Sequence, residues 1–237
     1  MPECLEIVLL TVMAGVAIPL GGGLAAVERI QPRWLEQELR HFIIAFGGGV
    51  LLAAVSLVLV PEGIKDLSAP LAAFWMLAGG LAFMYTDVVL SRRQGSAAQL
   101  IAMLADFIPE ALALGAMFAA DVRAAPLLAL LIALQNFPEG FNAFREMRSS
   151  TRASVRTVLI GFCILVPLGP AAGLTGYYWL AGFPVAVDAV MLFAAAGILY
   201  LTFQDIAPQA RLARHWSPPL GAVGGFLFGL MGHMLLQ

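Results

Sequence analysis

Apolar runs of about 20 residues follow one another along nearly the whole chain, and the connections between them reach at most about 13 residues. A helix rises about 1.5 Å per residue, so a run of that length spans the roughly 30 Å hydrocarbon core of a bilayer. Spacing of this kind predicts an all-α polytopic membrane protein with eight transmembrane helices. They fall at approximately 5–27, 41–61, 70–90, 98–120, 125–146, 155–180, 184–208 and 219–236. No connection has room for a soluble domain, so residues 1–237 read as a single transmembrane domain. Composition agrees: 61% of residues are hydrophobic and 12% charged, against roughly 45–50% and about 25% in a soluble domain.

The first run begins almost at Met1 without a basic segment ahead of it, and it is long enough to span, which argues against a cleaved leader. Cys4 and Cys163 provide neither a disulfide framework nor a paired-cysteine metal site. A net charge of −2 gives no footprint for nucleic acid. The lipid bilayer is the partner that the composition demands.

Basic residues set the orientation, because cytoplasmic loops carry the excess of Lys and Arg. Taking alternate connections, one side collects Arg29, Arg33, Arg40, Arg92, Arg93, Arg145, Arg148, Arg152, Arg156, Arg211 and Arg214; the other holds only Lys65 and Arg123. An even number of spans with this bias places both termini outside. Glycines cluster inside the spans, at 21–23, 47–49, 79–80, 173, 176 and 224–225, where small residues let helix backbones approach closely.

Spans 4 and 5 carry residues that a buried helix should avoid. MLADFIPEALALGAMF contains Asp106, Pro109 and Glu110; LIALQNFPEGFNAF contains Gln135, Asn136, Pro138 and Glu139. Asp106 and Glu110 lie one turn apart on one helix face, and Gln135 and Glu139 repeat that spacing. Consecutive spans run antiparallel, so these groups share a depth near the middle of the membrane. Each proline lacks the N–H that would bond the carbonyl four residues earlier, freeing the carbonyls of Ala105 and Leu134 as further oxygen ligands. Ionised carboxylates at this depth cost several kcal/mol each unless they are neutralised, and neither motif contains Lys or Arg. A divalent cation held by oxygens from both helices fits the type and number of groups.

QNFPEG and DFIPEA resemble the paired HNxPEG-type motifs of the ZIP (Zrt/Irt-like protein) family of divalent metal transporters. FGGGVLLAAVSLVLVPEG is similar to that family's second helix, LVPLGPAAGL to its sixth-helix EPLGG segment, and GILYLTFQDIAPQA to its seventh helix. The resemblance implies that Asp106, Glu110 and Glu139, with Gln135, form a metal site. It also implies an adjacent second site using Asn136 and sharing Glu110 and Glu139, with Gln204 and Asp205 near the inner exit. Zinc, iron, manganese or cadmium would be the transported ion, with no prosthetic group. Spans 1, 4, 5 and 6 would move against 2, 3, 7 and 8 within a homodimer. Such a protein is not an enzyme, and the chain has neither HExxH nor GxSxG. A bacterial cytoplasmic membrane suits a chain this compact.

Departures from the family pattern bear on the ion. Asp106 and Gln135 stand where the family has histidine, Phe107 replaces an asparagine, and Val166 stands where a glutamate precedes PLG. Two typical ligands of the second site are therefore lost, which argues against a two-metal centre. An oxygen-rich site favours harder ions such as Mn²⁺ and Fe²⁺ relative to a histidine-rich one. Three alternatives stay open: a metal-binding sensor, a transport-inactive relative, and a proton-conducting membrane protein.

Other polar residues read more plainly. Asp87 lies close to Arg92 and Arg93, as in a local salt bridge. Glu62 and Asp188 sit near the outer face, as solvated helix ends or as collectors of cations at the pathway entrance. Asp205, ahead of Pro208, repeats the acid-before-proline theme near the inner face. His41 and His233 read as interface residues, and the four tryptophans fall near span ends, as aromatic belts do.

Overall fold

The computed structural model describes residues 3–28, 33–91, 96–119, 123–150, 153–180, 182–211 and 216–236; within these, the side chains of 33–36, 91, 96–102, 105, 106 and 236 are not described. The described residues form eight helical rods and no strand. These are α1 (Glu3–Val27), α2 (33–63), α3 (Ala69–Ser91), α4 (Ser96–Ala119), α5 (Ala125–Ser150), α6 (155–180), α7 (184–209) and α8 (Pro218–Leu236). Six of them are long and apolar enough to cross a membrane: α1, α2, α3, α6, α7 and α8. In α4 the apolar segment is Phe107–Ala119, and α5 is diluted by Gln135, Asn136, Glu139, Asn142 and Arg145.

Helix outruns apolarity at several ends. Backbone hydrogen bonding does not stop where hydrophobicity does, so α2 already begins at Arg33 and α5 continues to Ser150. The start of α6 is sharp because Ser154 caps it, its Oγ accepting the Thr157 N–H at 3.1 Å. Prolines act in two ways. Pro19, Pro109 and Pro138 sit inside uninterrupted helices. Ahead of Pro61 and Pro208 the helix widens into π turns, at Ala54–Leu59 and Thr202–Ile206. A wider turn is one way to absorb the missing N–H and the ring's clash with the preceding turn.

Four close helix pairs build the molecule: α1 with α5, α4 with α6, α2 with α8, and α3 with α7. Each is knit by glycine. A Cβ on Gly140 would strike the Ile18 carbonyl oxygen, one on Gly21 that of Phe137, and one on Gly176 that of Leu112. Gly225 meets the Phe46 carbonyl in the same way, and Gly79 that of Phe193. In the Gly47–Gly49 run, successive glycines face different helices: Pro138 of α5, Ile206 of α7 and Ala222 of α8. Three bare positions let α2 abut three neighbours at once.

The pairs assemble into two groups, α1, α4, α5 and α6 on one side and α2, α3, α7 and α8 on the other. They meet mainly through α2 against α5 and α4 against α7. These contacts are two-fold related: exchanging α1–α3 with α6–α8, and α4 with α5, maps each of the four pairs onto another. PLG at 19–21 and PLG at 167–169 occupy matching helices under that exchange, as do the π turns of α2 and α7.

The main apolar core lies where the groups meet, with Leu51, Val58, Leu114, Met117, Leu128, Leu131 and Met191 almost wholly buried. A smaller cluster of Ile18, Phe144, Met147 and Phe162 ties α1, α5 and α6. Outward positions are apolar as well, among them Leu77, Leu20, Trp179 and Leu227, as a lipid-facing perimeter requires. Polar contacts gather at the helix ends. At one end Arg145 pairs with Glu28 at 3.1 Å and Ser217 bonds Glu38. At the other, Tyr177 bonds Glu3 and the Asp66 N–H donates to Asp188 at 2.8 Å.

Candidate metal site

The structure joins the two proline-carboxylate motifs directly. Gln135 Nε2 of α5 donates to Glu110 Oε1 of α4 at 2.5 Å, and the two residues are 0% and 1% exposed. Proximity follows from how the helices dock: α4 and α5 touch along this stretch, and both are held in the same group by α1 and α6. A carboxylate so deeply buried needs donors or a cation. The Gln135 amide supplies one donor, and that bond fixes its orientation, because a flipped amide would turn an oxygen toward the carboxylate. Gln135 Oε1 consequently points elsewhere and accepts no hydrogen bond among the described residues.

Gln135 also lines a cleft between the two groups. The cleft is narrow and open to the outside, with a cavity volume of about 30 Å³, and Gln135, Glu139 and Asn142 are its polar lining. Ile44, Gly47 and Leu51 of α2 and Ile206 of α7 close it opposite. Gly47 leaves room for the Pro138 ring, whose Cγ would be 3.1 Å from a Cβ there. Asn142 is absent from the sequence expectation. Its signal was present, since it follows Gln135 by seven residues and Glu139 by three, the spacing of one helix face. Its Oδ1 is buried and accepts no hydrogen bond among the described residues.

Asn136 faces away from this cleft. Its Nδ2 donates to the Ala14 carbonyl of α1 at 2.9 Å, and the residue is 1% exposed. The expected ligand of a second site is thus engaged, through its amide nitrogen, in docking α5 on α1. Phe107, its counterpart on α4, also turns into that group: its ring lies between α1 and α6, where a Cβ on Gly15 would be 3.2 Å from Cζ and one on Gly169 2.6 Å.

Asp106 stands on α4 one turn before Glu110; its side chain, like that of Ala105, lies outside the described residues. Both prolines sit within continuous helices, and, lacking an N–H, leave the Ala105 and Leu134 carbonyls without the usual intrahelical donor. Gln204 and Asp205 lie exposed in the π turn of α7, and only Ile206 of that turn reaches the cleft. Glu62 pairs with Lys65 at 2.6 Å. Asp188 is not a solvated helix end: it is 6% exposed and holds the 64–68 connection through the Asp66 N–H. Asp87 accepts a 3.0 Å bond from the Tyr200 hydroxyl, tying α3 to α7, while Arg92 and Arg93 lie outside the described residues.

Among the described residues no three His, Cys, Asp or Glu side chains converge to hold a metal by themselves. The polar side chains described in this region are the carboxylates of Glu110 and Glu139 and the amides of Gln135 and Asn142, oxygen donors of the hard type. No protein-family model and no curated protein sequence matches the chain.

Proposed function

We propose that the chain is a divalent metal transporter of the ZIP type, carrying the ion toward the cytoplasm past oxygen ligands contributed by α4 and α5. The observation that carries this reading is the Gln135–Glu110 contact, which brings the duplicated motifs to one place beside a cleft and leaves the Gln135 amide oxygen buried with no hydrogen bond among the described residues. Glu110, Glu139 and Gln135 Oε1 would be ligands, with Asp106 one turn away on α4. Donors of this hardness suit Mn²⁺, Fe²⁺ and Zn²⁺ in a site that keeps some water. Phe107 and the Asn136–Ala14 bond limit the region to one ion.

The eight rods would all span the membrane, with the Arg-rich ends in the cytoplasm and both termini outside. Division into two helix groups with the site beside their boundary supports an alternating-access motion of α1, α4, α5 and α6 against α2, α3, α7 and α8. Assembly as a homodimer in a bacterial cytoplasmic membrane belongs to the same reading.

Uptake into proteoliposomes tests it, comparing Mn²⁺, Fe²⁺, Zn²⁺, Cd²⁺ and Mg²⁺ for the native protein and Glu139→Ala. Saturable uptake that Glu139→Ala abolishes is the expected result. Absence of uptake for every ion, with metal still bound at equilibrium, would favour the sensor reading.

A further inference from the structure

The polar face of α5 continues past the motif. Gln135, Glu139 and Asn142 sit at helical spacing along one stripe, covering about 10 Å at 1.5 Å per residue, and all three line the same cleft. The opposing wall is apolar, formed by Ile44, Gly47 and Leu51 of α2 and Ile206 of α7. In such a setting a polar side chain is expected to find a partner. Two carbonyl oxygens of the stripe, Gln135 Oε1 and Asn142 Oδ1, are buried and accept nothing among the described residues, and Gln135 is wholly buried. Oxygens without protons, on residues about two turns apart with the Glu139 carboxylate between them, are the groups a partly dehydrated cation would exchange for water.

We propose that Asn142 is a ligand of the transport path: an ion leaving the Glu110–Gln135 contact is handed along α5 to a second resting position between Glu139 and Asn142 Oδ1. This step rests on the transporter reading and adds to it a direction and a residue. Asn142 lies on the side of Glu139 nearer Arg145 and Arg148, so the hand-over runs toward the Arg-rich end of the helix. Glu139, shared by both positions, holds the ion through the transfer. A neutral amide at the second position binds more weakly than a carboxylate, which lets the ion go on.

A test that does not depend on transport uses cadmium, whose bond to a thiolate is seen in the ultraviolet. Asn142→Cys is made in a background with Cys4→Ser and Cys163→Ser, and cadmium is titrated into the purified protein. A cadmium–thiolate band that disappears with Glu139→Ala, and that Ala143→Cys on another face does not give, is expected. No band at Asn142→Cys, or a band indifferent to Glu139→Ala, overturns the proposal. A second arm reads uptake: Asn142→Ala should slow it about tenfold, equivalent to about 1.4 kcal/mol of barrier, with equilibrium binding kept within about twofold. Uptake at the native rate would overturn it too. Should the native protein carry no ion, the transport reading fails while the thiolate band still decides whether Asn142 shares a cation with Glu139.

Discussion

Replacing Gln135 by leucine isolates the contact that joins the two motifs. Leucine is close to glutamine in size and helix propensity but offers no N–H, so Glu110 Oε1 loses a donor at a place where it is 1% exposed. Hydrogen bonds to charged groups contribute about 1.5–3 kcal/mol. Within a bilayer interhelical hydrogen bonds average about 0.6 and reach about 1.7 kcal/mol, because the unfolded chain in lipid also finds partners. A 2.5 Å bond between two wholly buried side chains belongs near the top of that range, at about 1.5 kcal/mol. Gln135→Leu, Glu110→Ala and the double variant form a cycle that separates this coupling from the cavity left by the alanine. Reversible unfolding in mixed micelles, followed by tryptophan fluorescence, supplies the free energies. Coupling inside the roughly 0.3–0.5 kcal/mol scatter of independent sites would show that the carboxylate does not depend on this amide. The argument that the contact holds the motifs together would then be refuted.

Two other perturbations probe packing and site number. Gly140→Ala would drive a Cβ into the Ile18 carbonyl, a backbone clash of the kind that costs about 1–3 kcal/mol and lowers Tm by roughly 2–12 °C in a chain of this length. Gly23→Ala meets nothing within 4 Å and should hold or raise Tm, since alanine gains about 0.8–1.0 kcal/mol over glycine in a helix; equal losses in the two variants would contradict close packing of α1 on α5. Phe107→Asn removes the ring between Gly15 and Gly169 and should raise bound Mn²⁺ from one equivalent to two by equilibrium dialysis, at some loss of Tm. A folded variant that still binds one would show that the ring is not what limits the site.

Much of the fold was legible because lipid simplifies the problem. With backbone groups obliged to bond within their own segment, each apolar run becomes one rod, and all eight runs lie on rods with ends displaced by a few residues. The larger displacements, at Arg33 and Ser150, fall where a helix continues into charged sequence and hydropathy has nothing to detect. Helix pairing was less legible. Glycine clusters announced close approach without saying to what, and only the structure shows Gly47, Gly48 and Gly49 addressing three different helices. Polar residues near helix ends were read from sequence neighbours, and the structure adds partners that are distant in the chain. Asp87 bonds Tyr200, and Asp188 bonds the backbone of Asp66.

In the motifs, what composition could not convey is which way each side chain turns. The two copies are alike in sequence and occupy equivalent helices, so a symmetrical site would be the natural expectation. Their second positions break the symmetry. Phe107 sends an aromatic ring, and Asn136 an amide, into the interior of the α1, α4, α5 and α6 group, where both serve packing. The first and fifth positions then have to meet across the helix boundary, as Gln135 and Glu110 do. Among the described residues of the two motif helices, those of α5 line the cleft, and α5 carries the polar stripe on to Asn142. A two-fold frame thus carries a one-sided cleft, and the proposed ion path between α2 and α5 would present an ion with unlike walls, polar on α5 and apolar on α2.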